Sequence, residues 1–245
     1  MSADGHFRSG YAGTPTLPGA GNLGRMTRRF RIQSPGEDAD DTAWFWFEVE
    51  DDGWVLRQAV FEAALEVPRS CEPLQNADGT ASGGASMAAA QAQLALVRER
   101  FGRLGVQLYQ TVYGPFTEGA VEVPPEAVDV TDSEFERAWS TALRHRHLSH
   151  YVTGPLPEGS LLTGMVCALP WGPGRTGLFV DINLPVDAFV DAAWLPFDPA
   201  DWPTVGTVAE FEVATLRFSS ARPQIRLRPT AVPPPGEPWP RRAQR

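Results

Sequence analysis

The sequence predicts an α+β protein in which an antiparallel sheet with two main helices is followed by a five-stranded β-barrel. The last third of the chain is a row of short strand patterns separated by Gly, Pro or charged residues, and the part before it mixes strand and helix patterns. The ends are rich in Gly, Pro, Ser or Arg, a composition typical of disorder. We therefore divide the chain into a disordered tail (1–25), an α+β domain of unknown function (26–150), a barrel (151–229) and a Pro/Arg-rich disordered tail (230–245).

The α+β domain begins with three predicted strands, at residues 29–32, 43–49 and 54–61. Asp51, Asp52 and Gly53 separate the last two and predict a hairpin turn in which the glycine takes a positive φ. The middle strand carries four consecutive aromatic residues, 44–47, so two side chains point to each face of the sheet. A wide exposed aromatic patch is unusual, so we expect both faces to be covered, most simply by the chain's own helices.

Two helices are predicted from the spacing of apolar residues. The first runs over residues 86–104, with Ser86 as N-cap and Gly105 as C-cap, and a short strand follows it at residues 109–113. The second begins at Thr131 or Asp132 and ends near His147, and Thr131 with Glu134 is close to a capping box. Its buried stripe is predicted to contain Phe135, Trp139 and Leu143.

The barrel is predicted from five short strands, centred on residues 161–166, 178–182, 188–190, 208–216 and 224–228. Closing five such strands into a barrel removes the exposed edges that an open sheet would leave. Cys167, within the first apolar run, is predicted to be a buried small side chain.

This last third resembles the S1 RNA-binding domain, an OB fold, in the spacing of several short motifs. The matching motifs are Gly159-Ser160 with Gly164 and Val166, residues 177–181, residues 188–190, Val205-Gly206 and residues 224–227. The resemblance implies single-stranded RNA lying across the second and third barrel strands on aromatic side chains, of which Phe179 matches one. Thr176 and Asp191 stand where the family usually has an aromatic residue and a histidine. The N-terminal part resembles only uncharacterised actinobacterial proteins.

Three arginines on or beside the fifth strand, Arg222, Arg226 and Arg228, complete the predicted nucleic-acid-binding set with Phe179. Arg226 and Arg228 point to the same side of a strand and would form a basic strip. The alternative is that they are the solvated face of an ordinary strand, because charged residues usually mark exposed surfaces. The net charge of the whole chain is −9, which does not favour a large basic surface.

Composition and motif searches point away from catalysis and bound metals. Every cationic side chain is Arg, so neither a Schiff-base lysine nor a P-loop lysine is present. Two cysteines, Cys71 and Cys167, do not make a disulfide framework or a cysteine-based zinc site. The three histidines at 145, 147 and 150 lack the four-residue spacing of helical zinc pairs. We predict no cofactor, no metal, no membrane span and no signal peptide, and therefore a cytoplasmic protein.

The sequence thus predicts a non-enzymatic binding protein. One hypothesis is that the barrel binds single-stranded RNA or DNA through Phe179 and the arginines of the fifth strand. The alternative is a protein-interaction module, such as an immunity or regulatory protein, that presents an acidic surface to a basic partner. An enzyme is the third hypothesis, and no Gly-x-Ser-x-Gly elbow or Gly-rich phosphate loop supports it. The sign of the surface charge over the second and third barrel strands separates the first two hypotheses.

Overall fold

The computed structural model describes residues 27–34 and 42–239, which form ten β-strands and two α-helices. Five strands make an antiparallel sheet of order β4-β3-β2-β1-β5. They are β1 (Thr27–Ser34), β2 (Ala43–Glu50), β3 (Val55–Glu62), β4 (Gly84–Ala90) and the two-residue β5 (Val128–Asp129). The three strands predicted here are confirmed, and Gly53 takes a φ of 82° in the predicted turn. The predicted tail 1–25 lies outside the described residues.

Helices α1 (Gln91–Tyr113) and α2 (Asp132–Leu148) cover opposite faces of this sheet. Phe47 packs with the α1 residues Leu94 and Val97, whereas Trp46 packs with the α2 residues Phe135 and Trp139. The expectation that the chain's own helices cover both aromatic faces is confirmed. The alternation of side chains along β2 is the physical reason for this division.

Helix α2 begins and ends close to the predicted positions. The predicted capping box is present: the Thr131 hydroxyl accepts a hydrogen bond from the Glu134 N–H at 3.3 Å, and the Glu134 carboxylate accepts one from the Thr131 N–H at 2.8 Å. The Thr131 hydroxyl also donates to the Glu134 carboxylate at 2.7 Å, and this hydrogen bond, followed by that from the Thr131 N–H, lowers the pKa of the Glu134 carboxyl. The predicted stripe of Phe135, Trp139 and Leu143 lies in the cluster beneath the helix.

The first predicted helix is wrong in its bounds. Ser86 is not an N-cap but lies in strand β4, and α1 begins five residues later, at Gln91. Ala88, Ala89 and Ala90 have high helix propensity, but β4 is an edge strand that is covered by a helix on each face and pairs along its length with β3. Small side chains fit this position between two covered faces, and the tertiary packing overrides the local preference.

Helix α1 also continues past its predicted end. Gly105 lies inside the helix, and the helix ends at Gly114, whose φ is 85°. A kink at Gly102, whose φ is 56°, divides α1 into two helical segments. The strand predicted at residues 109–113 is wrong, because these residues form the last turns of α1. Tyr109 and Tyr113 are four residues apart and their rings lie 4.7 Å apart on one helix face.

The second sheet is a closed five-stranded barrel of order β10-β8-β7-β6-β9, in which β9 also pairs with β10. Its strands are β6 (Leu161–Ala168), β7 (Gly177–Asp181), β8 (Asp187–Asp191), β9 (Val208–Ser219) and β10 (Arg222–Pro229). All five predicted strands are confirmed. Strands β8 and β10 are parallel and the remaining pairs antiparallel, an arrangement consistent with an OB-like fold.

Cys167 is exposed, so its predicted burial is wrong. The neighbouring Val166 is fully buried in the barrel core, and successive side chains of a strand point to opposite faces. The prediction treated residues 161–168 as one apolar run and ignored the alternation of side chains, so it assigned Cys167 to the wrong face of β6.

Helix α1 also touches the barrel. Leu108 and Val112 of α1 belong to the same buried cluster as the barrel core, together with Tyr151 and Leu156 from the connecting segment. The Arg146 side chain in the last turn of α2 donates to the Val112 carbonyl of α1 at 2.7 Å, and its guanidinium lies 5.7 Å from the centre of the Tyr151 ring. Helix α1 therefore lies between the sheet and the barrel and contributes to both cores.

The described part of the C-terminal segment, residues 230–239, makes specific contacts with the loop before β9. The Trp239 Nε1–H donates to the Asp201 carbonyl at 2.7 Å, and the Gly236 N–H donates to the Asp201 carboxylate at 2.9 Å. Trp239 is buried. Disorder is predicted here from the average composition, which does not take into account that one large aromatic side chain can anchor the segment by its burial.

Candidate nucleic-acid interface

The outer face of the barrel carries an aromatic row that ends in an arginine. Phe179 on β7 is paired in register with Phe189 on β8, and Phe189 is paired with Arg226 on β10. The two phenyl rings meet edge to face with centroids 5.1 Å apart, and the Arg226 guanidinium lies 4.7 Å from the centre of the Phe189 ring. The neighbours of all three residues in sequence point into the barrel core, so alternation turns this row outward.

Phe189 forms the floor of this row. It is 6% exposed, whereas Phe179 is only partly buried and stands beside it. Gly177 makes room for the ring: a Cβ atom at this position would lie 2.7 Å from Phe189 Cζ and 2.1 Å from the Val190 carbonyl oxygen. Its φ of 135° is also one that other residues rarely adopt. Sequence analysis did not single out Phe189, although its place in the alternation of β8 would have identified it.

Each of the three predicted arginines is paired with a carboxylate of the barrel. Arg226 contacts Asp191 at 3.0 Å, Arg228 forms two hydrogen bonds with Glu212 at 2.6 and 3.0 Å, and Arg222 lies 3.7 Å from Asp187. The Glu212 side chain raises the pKa of Arg228 through these hydrogen bonds and then through its charge. The predicted basic strip therefore exists as a row of arginines, but acidic neighbours neutralise its charge.

Further aromatic side chains stand near this face. Trp194 follows β8, is 48% exposed, and has its ring centre 5.8 Å from the Arg228 guanidinium. Trp171 lies in the loop between β6 and β7, and the fully exposed Phe197 lies in the loop after Trp194. These two loops approach each other, since a Cβ atom on Gly174 would lie 2.4 Å from Pro199 Cγ. The aromatic surface therefore extends beyond the row formed by Phe179 and Phe189.

The hairpin between β9 and β10 is used for internal packing. Its turn residues Ser220 and Ala221 take φ values of 49° and 60°, as a two-residue hairpin turn requires. Phe218 packs against the Tyr109 and Tyr113 rings of α1, with centroids 5.7 and 5.5 Å apart, and Ala221 is buried. OB folds commonly bind ligands with this loop as well as with the second and third strands. In this protein the contacts of Phe218 with α1 and the burial of Ala221 occupy this hairpin, whereas Phe179 on β7 is only partly buried.

The three histidines do not converge. His145 is fully buried, where its Nδ1 accepts from the Ala85 N–H at 3.3 Å and its Nε2–H donates to the Glu72 carbonyl at 2.9 Å. His150 contacts the Glu158 carboxylate at 2.8 Å. Within residues 27–34 and 42–239, no group of three or more His, Cys, Asp or Glu side chains is arranged to hold a metal ion. His145 thus holds the loop after β3 against α2.

No protein-family model matches the chain, and no curated protein matches it significantly. The described part of the chain contains no helix that is both long enough and apolar enough to cross a membrane.

Proposed function

We propose that this is a non-enzymatic binding protein whose S1-like barrel binds single-stranded nucleic acid, RNA above all, on the outer face of β7, β8 and β10. The observation that carries the proposal is the outward row of Phe179, Phe189 and Arg226, with the exposed Trp194 beside it. Bases stack on aromatic side chains and on guanidinium planes whatever their sequence. OB folds use this same face for oligonucleotides. A cytoplasmic location remains a prediction.

The ion pairs determine what kind of nucleic-acid binding to expect. A phosphate group that contacts Arg226 has to compete with Asp191, which already holds the guanidinium at 3.0 Å. The electrostatic part of the affinity is therefore small, and stacking supplies most of it. We expect micromolar rather than nanomolar binding, with a shallower salt dependence than that of a basic OB domain.

A second function is favoured by the same ion pairs. Arg222, Arg226 and Arg228 all have carboxylate partners, and the chain carries a net charge of −9. A face of this kind suits a basic protein partner, as in an immunity or regulatory protein, because the carboxylates attract the partner and the aromatic side chains supply buried area.

Substituting Asp191 with asparagine distinguishes the two functions by the sign of its effect. Asp191→Asn removes the charge that neutralises Arg226, so it should strengthen oligonucleotide binding and weaken the binding of a basic protein. Phe179→Ala should weaken oligonucleotide binding by ~1–3 kcal/mol, the usual cost of losing one stacking platform. Fluorescence anisotropy with a labelled oligouridylate at low salt measures how each of the two substitutions changes oligonucleotide binding. Circular dichroism checks that each variant is folded.

The matched control is Glu118→Gln, which removes one negative charge from an exposed ion pair with Arg98 in the sheet region. It should leave oligonucleotide affinity unchanged. Arg226→Ala should reduce the salt slope by about one if Arg226 contacts a phosphate. If neither the wild type nor Asp191→Asn binds an oligonucleotide at low salt, the nucleic-acid proposal fails, and the protein-interaction module becomes the leading function.

A further inference from the structure

A second candidate site lies on the sheet, on the face covered by α2. Three arginines point to this face: Arg29 and Arg31 on β1, and Arg57 on β3. Arg29 contacts Glu48 at 2.7 Å and Asp132 at 2.5 Å. Arg57 contacts Glu48 and also Glu136, the latter at 2.5 Å. Two of the three guanidinium groups are therefore held by carboxylates.

Arg31 differs from these two. Within residues 27–34 and 42–239, no carboxylate lies within ion-pair distance of its guanidinium. That group stacks instead on two indole rings, at 4.9 Å from the centre of Trp44 and 5.4 Å from that of Trp46. The planar guanidinium presents several N–H donors in a fork that matches a carboxylate, and contact with the two rings leaves these donors free of an acidic partner among the described residues.

Two hydrogen-bond donors at this position have no partner among the described protein atoms. They are Arg31 Nε and Trp46 Nε1, both buried, and the two residues face each other in the register of β1 and β2. Buried N–H groups normally find an acceptor, because leaving one unmet costs most of its desolvation energy. Both atoms are shielded from solvent, and Trp46 does not line the neighbouring cavity, so a ligand there would meet the remaining N–H groups of Arg31.

Arg31 opens into a cavity of about 470 Å³, a size typical of small-molecule sites. Gln33 and Trp44 line one side of it, and the hairpin loop that contains Asn76, Asp78 and Thr80 lines the other. The cavity therefore has a cationic group, an aromatic wall and a polar loop.

The hairpin loop is fixed by its own hydrogen bonds. The Asn76 amide donates to the Thr80 hydroxyl at 3.0 Å, and the Asp78 carboxylate accepts from the Thr80 N–H and hydroxyl at 2.9 and 2.6 Å. Gly79 permits the turn with a φ of 81°. The Thr80 side chain, and then its backbone, lower the pKa of Asp78, so its carboxylate is charged at neutral pH. Among its described lining residues the cavity thus presents one positive and one negative group, and the loop that carries the negative group is held by its own hydrogen bonds.

We propose that this cavity binds a small zwitterion of the α-amino-acid type, with its carboxylate on the Arg31 guanidinium and its ammonium group on the Asp78 carboxylate. A plain anion would be repelled by Asp78, and a plain cation by Arg31, whereas a zwitterion matches both. The indole of Trp44 provides an apolar surface for the ligand's side chain and a π-face for its ammonium group. The proposal is independent of nucleic-acid binding by the barrel.

The test uses the full chain. Saturation-transfer NMR with the mixed free amino acids identifies those that bind, and titration calorimetry then compares the best ligand with its deaminated and decarboxylated analogues. We expect each analogue to bind about tenfold more weakly, because each leaves one charged protein group without its partner. Equal binding of the deaminated analogue would show a plain carboxylate site and overturn the zwitterion. Failure of every amino acid to bind at millimolar concentration would overturn the site.

Two conservative variants assign the roles. Arg31→Lys keeps the charge over the indole rings but loses the two-pronged donor, and should weaken amino-acid binding about tenfold. Asp78→Asn keeps an oxygen acceptor for Thr80 but loses the charge, and should remove the preference for the amino acid over its deaminated analogue. Arg98→Ala, which removes a cation from an exposed ion pair, is the control and should change nothing. Unchanged binding in both Arg31→Lys and Asp78→Asn would place the ligand elsewhere.

Discussion

The sheet region and the barrel both pair their arginines with carboxylates, but they place these pairs differently. In the sheet region, Arg29, Arg57 and Glu48 lie beneath α2, and the Glu48 side chain is only 9% exposed. In the barrel, the pairs Arg222–Asp187 and Arg228–Glu212 lie on the outer surface. The first network is enclosed by packing, and the second is open to solvent.

This difference determines which arginines are available to a ligand. Removing one member of an enclosed pair leaves a charge that water cannot reach, so such pairs are fixed in the folded state. Exposed pairs contribute little stability and can exchange partners at little cost. Arg222 and Arg228 can therefore turn toward a phosphate or a partner's carboxylate, whereas Arg29 and Arg57 serve the fold. The Arg226 side chain is as shielded as that of Arg57, but its partner Asp191 is 45% exposed, so this pair lies between the two groups. Arg31 is the exception in the sheet region, because it lies on the face of α2 without a carboxylate partner among residues 27–34 and 42–239.

The largest effect is expected when the barrel is separated from the sheet region. A fragment of residues 151–239 retains every strand of the barrel and its surface ion pairs but loses the α1 residues Leu108 and Val112 from its core. We expect it to fold with a cooperative thermal transition at a clearly lower temperature than that of the full chain, because the newly exposed apolar surface weakens its core. Differential scanning calorimetry measures both transitions. A fragment without a transition would mean that the barrel requires α1, and the division at residue 150 would be abandoned.

The next largest effect is expected from Arg57→Ala. Burial works to lower the pKa of Arg57, but hydrogen bonds with Glu48 and Glu136 raise it overall, so the folded state favours the charged form. The substitution also removes the stacking of the guanidinium on Phe135 and Trp139. We expect a loss of about 3 kcal/mol in the free energy of unfolding. This value is at the lower end of the range for breaking a buried ion pair, because the Arg57 side chain keeps some contact with water.

Urea denaturation measures this loss, and Arg98→Ala provides the matched control. Arg98 and Glu118 are both about half exposed, so breaking their pair should cost less than about 1 kcal/mol. Equal losses in the two variants would show that enclosure by α2 adds nothing to the sheet network, and the contrast between enclosed and exposed ion pairs would fail.

The smallest effect concerns acid. The pKa values of Glu134 and Glu136 are lowered, chiefly by hydrogen bonds from Thr131 and Arg57 respectively. A lowered folded-state pKa stabilises the protein above the unfolded-state value and loses that contribution as the pH falls through the folded-state value. We expect the urea midpoint to fall as the pH drops below about 4.5, and to fall less in Glu136→Gln. An unchanged acid dependence in this variant would mean that the pair with Arg57 does not contribute to it.

Local patterns were sufficient for much of this fold. The alternation of the five barrel strands, the turn at Gly53 and the capping box of Thr131 and Glu134 each depend on neighbours within a few residues, and each was predicted. The outward position of Phe179 follows from the same alternation. The sequence by itself therefore determined these elements, because strand and helix periodicities are local properties.

Tertiary structure decided the rest. Residues 84–90 form a strand rather than the start of a helix because β3 and the two covering helices supply pairing and burial that a helix there would lose. The pairing of Arg226 with Asp191 and the contact of Arg31 with two indole rings depend on which strands become neighbours, and no local pattern carries that information. Long-range pairing brings together residues distant in sequence, so the charge of the barrel face and the cavity at Arg31 became visible only in the folded chain.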